Sequence, residues 1–175
     1  TTAQVRALTT DQVVGLGSTH VPQLTSSQIG ALTSAQLGAL STTTLDLLGS
    51  NQLIALTTSQ VASLSTTALN ALTSTQFAAL ATDDVRALTS TQVAALATVN
   101  FDAMGSSQLR AMTSAQIGAL PTNTLNTLTS TQLDALTTAQ VRAFTTDQIV
   151  GLGTTHLPQL TPAQIGALTT SQLGV

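Results

Sequence analysis

The sequence predicts an all-α solenoid, a superhelix of very short capped helices with one helix per octapeptide repeat. A β-solenoid is the alternative it leaves open. Three observations carry this prediction. Leucine returns every eight residues, the residues that open each octad match a helix-capping pattern, and the composition is apolar with almost no charge.

The eight-residue period is continuous. With Leu8 as place 8, the series runs Leu16, Leu24, Leu32 and onward through Met104, Met112 and Phe144 to Leu168. Place 5 is always Val, Ile, Leu or Phe, place 4 is mostly Gln, place 7 mostly Ala, and places 1 and 2 mostly Thr or Ser. There are no insertions across the nearly 22 copies, so residues 1–175 read as one repeat array. A longer period lies on top: residues 1–39 match residues 137–175 at 30 of 39 positions, an offset of 136 residues. This is a duplicated block. The chain also starts and stops in mid-pattern, as a piece of a longer protein would.

Each place in the octad has a physical reading. A continuous helix is excluded, because eight residues advance it about 80° beyond two full turns and the leucine stripe would wind round it. Places 5 and 8 of a strand would point to opposite faces, which a β-solenoid with corners still tolerates. In a short helix they are i, i+3 neighbours on one face. Thr at place 1 with Gln at place 4 is the capping-box pattern. The stricter hydroxyl at place 2 leaves open that the cap sits there instead. Pro162, in "LTPAQIGAL", falls at the first helical position, where proline is favoured. Gly17, Gly49, Gly105 and Gly153 at place 1 suit a helix start or the end of the preceding helix. Pro22 and Pro158 fall inside the helical segment and predict distorted octads. A helix of about six residues is unstable alone in water, so neighbouring units must stabilise it. Ala at place 7 lets backbones approach, and the charges at places 3 and 6 mark the solvent face.

Composition narrows the function. The net charge is −3, with four basic residues, all Arg, so no basic groove for nucleic acid can form. Ser and Thr interrupt every apolar run, so no membrane span is expected. There is no Cys, which excludes disulfides and thiolate metal sites.

No residue set predicts catalysis, a cofactor site or a metal site. His20 and His156 replace the place-4 Gln in "GSTHVPQL" and "GTTHLPQL" and read as capping variants beside a proline-distorted turn. Asp83 and Asp84 are the only adjacent carboxylates. Asp84 takes the Gln place, where an acid suits a helix start. No Ser or Thr has the base and acid partners of a triad. Met104, Met112, Phe77, Phe101 and Phe144 sit at core places and read as packing variants.

The function these features predict is a structural repeat or spacer, without catalysis. The alternative is a binding module for ice or glycan that uses regular Thr/Ser rows. Self-association and cell-surface ligands remain open as partners.

"LTTAQVRAFTTDQIVGL" and "LTSTQVAALATVN" resemble Thr/Gln/Leu-rich repeat regions of large exported, adhesion-like bacterial proteins. That resemblance implies an extracellular or cell-surface setting and a spacer or adhesive role. "LTPAQIGAL" and "LTTDQVVGL" are also similar to the opening helix, LTPxQVVAI, of transcription-activator-like effector repeats. Those repeats are longer, with a second helix and base-reading residues between the two. This chain has neither those features nor basic charge. The likeness therefore implies a capped helix at Thr-Pro-x-Gln and not DNA binding.

Overall fold

The computed structural model describes all 175 residues, and the chain divides into two compact units, Thr1–Leu88 and Thr89–Val175. The first unit holds α1 (Thr2–Ala7), α2 (Thr10–His20), α3 (Ser26–Ala31), α4 (Ser34–Gly38), α5 (Thr42–Asp46), α6 (Ser50–Ile54), α7 (Thr58–Ser63), α8 (Thr66–Ala71), α9 (Ser74–Ala78) and α10 (Thr82–Ala87). The second holds α11 (Ser90–Ala94), α12 (Thr98–Asp102), α13 (Ser106–Ala111), α14 (Ser114–Gly118), α15 (Thr122–Leu125), α16 (Ser130–Ala135), α17 (Thr138–Arg142), α18 (Thr146–His156), α19 (Pro162–Gly166) and α20 (Thr170–Leu173). Short 3₁₀ turns follow α2 and α18, at Val21–Gln23 and Leu157–Gln159. There are no strands, so the β-solenoid alternative falls and the all-α repeat solenoid stands.

The octad is six positions of helix-forming backbone plus two extended residues. At the end of α3, Leu32 has φ −57° and ψ 144°, and Thr33, which opens α4, has φ −73° and ψ 158°. Leu64, Leu72 and Leu136 end α7, α8 and α16 in the same extended conformation. Two consecutive extended residues turn the chain and release the helix. The cap sits at place 1. The Oγ1 of Thr33 accepts the Gln36 amide at 3.2 Å, and the Thr33 amide donates to Gln36 Oε1 at 2.7 Å. The place-2 hydroxyl lies at the first helical position, one residue too late to cap.

Helices stack every third octad. In the first unit α1 packs on α3, α3 on α6, and α6 on α9; α4 packs on α7, and α7 on α10. In the second, α11 packs on α14, α14 on α17, and α17 on α19; α15 packs on α18, and α18 on α20. The first residues of these partners are 24 apart, as in Ser26, Ser50 and Ser74. One coil is therefore three octads. Place 5 and place 8 fill the interior: Ile29, Val61, Phe77, Leu109 and Ile117 are fully buried, and Leu32, Leu64 and Leu120 nearly so. None of these helices could hold its shape alone, and each does so by burying this stripe against the coils above and below.

The octads with Pro22 and Pro158 are distorted, as predicted. α2 is kinked within its length at Gly17, at φ 58°, and α18 at Gly153, at φ 54°, and each then runs on through its histidine into the 3₁₀ turn. These are the two positive-φ residues of the chain. Gly17 and Gly153 thus neither cap a helix in the extended region nor end one cleanly. They are left-handed corners, open to glycine at low cost and strained for any residue with a Cβ.

Candidate functional site

The place-4 glutamine does more than cap, and the sequence reading of it as a cap alone is incomplete. Gln36, Gln60, Gln76, Gln116, Gln140 and Gln148 are buried, 2–6% exposed. The Oε1 of each accepts the amide of its own place-1 residue, as at Thr57 (2.6 Å) and Thr73 (2.8 Å). In octad after octad the Nε2 end reaches into the coil beneath. Gln36 Nε2 donates to the carbonyl of Leu8 at 2.6 Å, with Val5 and Arg6 carbonyls at 3.2 and 3.3 Å. Gln76 reaches Asp46 and Leu48 at 2.7 Å each, and Gln140 reaches Leu109 and Met112 at 2.8 Å each. The acceptors stand 28, 30 and 31 residues earlier, at the C-terminal end of a short helix. The place-5 carbonyls among them also accept the place-8 amide that ends the helix, as Leu45 does from Leu48 at 3.1 Å, whereas helix-end carbonyls beyond them lack an intrahelical partner. One side chain therefore satisfies an orphan N–H at one helix start and orphan C=O groups at another helix end.

A signal for this second role was present in the composition. Glutamate serves a capping box as well as glutamine does, yet the chain contains no Glu. A carboxylate would place oxygen against carbonyl oxygens, and only the amide supplies a donor there. The exceptions also come in pairs: wherever place 4 is not Gln, place 1 is not Thr, as in Ser41–Thr44, Ser65–Ala68, Ala81–Asp84, Ala97–Asn100 and Pro121–Thr124.

The histidines do not cap a helix start. His20 Nδ1 lies 3.1 Å from the Leu16 carbonyl, four residues back. Leu16 is the residue 28 before Thr44, so it is the carbonyl that a glutamine at 44 would have taken. His156 occupies the equivalent corner of the second unit, before the 3₁₀ turn at Leu157. No group of three or more His, Asp or Glu is placed to hold a metal ion.

Asp84 does act as a cap, as predicted: its Oδ2 accepts the Ala81 amide at 3.2 Å. It is also buried, at 2% exposed, whereas Asp83 beside it faces solvent. Burial pushes its carboxyl above the ordinary value of 3.8, the Ala81 amide opposes that rise, and the neighbouring Asp83 charge adds to it.

The hydroxyl rows are partly used by the fold itself. Place-1 hydroxyls accept amides at helix starts. At place 2, Ser34 and Ser114 Oγ each donate, at 3.4 Å, to the place-3 carbonyl one coil on, at Ser59 and Ala139. An open cleft of about 260 Å³ beside Gly30 is lined by Arg6, Thr33, Ser34, Thr57 and Gln60, with no acid or base among them to activate a hydroxyl. No helix is long and apolar enough to cross a membrane.

No curated protein and no solved structure matches the chain. The family model of the ALTTAQ repeat matches residues 1–26, 15–42, 29–66, 48–82 and 125–162. Those matches cover most of the sequence, and their signature is the Ala-Leu-Thr-Thr-x-Gln junction at which one helix ends and the next is capped: the chain is a repeat protein and belongs to the ALTTAQ repeat family.

Proposed function

We propose that this chain is a structural spacer segment of a bacterial surface or secreted protein and performs no catalysis. One observation carries the reading. The polar groups that recur in most octads, the place-1 hydroxyl and the place-4 amide, are spent on capping and coil-to-coil bonds. What faces outward at places 3 and 6 changes from octad to octad and forms no repeated site. The resemblance to exported adhesion-like repeat regions supports the setting.

The setting is tested by protease accessibility of the segment on intact against lysed cells. Digestion on intact cells is expected, and protection until lysis would overturn the surface assignment. The spacer role is tested by glycan-array binding and thermal hysteresis of the purified chain. Neither signal is expected, and a clear signal in either assay would make it a binding module.

A further inference from the structure

The place-4 amides are spread unevenly along the array. In the second unit, residues 129–152 are tied to the coil beneath by three glutamines in succession. Gln132 donates to the carbonyls of Asp102 and Met104 at 3.2 and 3.1 Å, and Gln148 to those of Ile117 and Leu120 at 3.0 and 2.7 Å. Between them Gln140 reaches Leu109 and Met112. In the first unit, residues 65–88 occupy the corresponding coil with Ala68, Gln76 and Asp84 at place 4. Gln76 reaches Asp46 and Leu48. Ala68 has no side-chain donor, and an ionised aspartate accepts but does not donate. Asp84 spends an oxygen on the Ala81 amide, and Ala81 brings no hydroxyl to cap α10. One tie therefore stands where the second unit has three. In either unit, any other run of three octads lacks at most one glutamine, as at Thr44 between Gln36 and Gln52.

The helices still stack across this seam, α8 on α5, α9 on α6 and α10 on α7. What holds them is mainly apolar packing, of Leu45, Leu53 and Val61 on one side and Leu69, Phe77 and Val85 on the other, all buried. In a quasi-one-dimensional array each coil rests on its neighbours alone, so the array opens at its weakest interface and the rest need not follow. We propose that the seam between residues 41–64 and residues 65–88 is the built-in yield point of the array, where coils part first under load or mild denaturant. This deepens the spacer reading: a spacer with a set yield point lengthens at one place instead of unravelling. The opening breaks no covalent bond, and reclosure needs only repacking.

The test is hydrogen exchange of the purified chain, followed by mass spectrometry at neutral pH in sub-denaturing urea. Helix amides in residues 41–64 and 65–88 are expected to exchange about tenfold faster, or more, than those in residues 105–128 and 129–152. Ala68→Gln with Asp84→Gln supplies the missing amides and should slow the first seam to the rate of the second. Gln132→Ala with Gln148→Asp copies the natural gap into the second unit and should make its seam exchange fast. In single-molecule pulling, the lowest-force extension of the wild type should move to higher force in the Ala68→Gln, Asp84→Gln chain. Equal exchange at the two seams of the wild type, fast exchange that the added glutamines leave unchanged, or an unmoved first extension would each overturn the proposal. All of these read the purified chain, so failure of the surface assignment or of the spacer role is seen separately.

Discussion

A single amide decides whether one coil holds the next. Gln76 accepts at Oε1 from Thr73 and donates at Nε2 to Asp46 and Leu48, all of it buried. Gln76→Glu keeps the shape and the cap but turns the donor into an oxygen against carbonyls. It should cost about 2 kcal/mol or more at pH 7, since a buried charged group loses its donors' match, and much of that should return near pH 4 when the carboxyl is protonated. Urea midpoints at the two pH values check this. Asp84 is the natural version of the same substitution. Its folded-state pKa lies above 3.8, so the folded chain binds the proton more tightly than the unfolded chain. Stability then rises as pH falls from the raised folded value towards 3.8 and is lost again as pH climbs through that window. The wild-type midpoint should increase on acidification across it, and Asp84→Asn should flatten that part of the profile. A flat wild-type profile would show that burial does not bias this carboxyl.

The element scale is governed by caps and corners. A place-1 hydroxyl that accepts an N3 amide, as Thr57 does from Gln60 at 3.3 Å, is worth about 1 kcal/mol. Thr57→Ala should lower stability by that amount and Thr57→Gly by less, since Gly49 and Gly105 already open α6 and α13 in the extended conformation. The double variant Ala81→Thr with Asp84→Gln restores a full capping box to α10 and should raise the urea midpoint above either single change. Corners obey a different rule. Gly17 at φ 58° meets nothing that a methyl group would touch, so Gly17→Ala isolates backbone strain. A loss of about 1–2 kcal/mol is expected. Gly30→Ala tests the opposite case, because an added Cβ would overlap the Ala55 carbonyl oxygen of the next coil.

For the whole molecule, register matters more than length. Within each unit the stacked helices begin 24 residues apart, and glutamines such as Gln36, Gln76 and Gln140 reach carbonyls 28–31 residues back. Deleting residues 33–56, three whole octads, returns each following helix to an equivalent neighbour. The helical signal per residue should persist, with a modest fall in midpoint. Deleting residues 53–56 alone should abolish folding around the junction, because place 5 and place 8 would turn to solvent and the glutamines would miss their carbonyls. Circular dichroism of the two variants separates these outcomes; equal loss in both would remove the coil register as the source of stability.

Local chemistry was legible in the sequence. The eight-residue period, the Thr-to-Gln cap, the buried places 5 and 8 and the distorted octads at Pro22 and Pro158 all follow from interactions within a few residues of each other. So did the capping half of Asp84. The number of octads in a coil was not legible, and neither were the carbonyls that the glutamine amides reach or the reach of His20 to Leu16. All three depend on which carbonyls from about thirty residues away come to lie beneath a given side chain. A repeat of identical octads carries no mark of which copy meets which. Packing decides that, by the angle at which two extended residues join one short helix to the next, and only the assembled coil shows it.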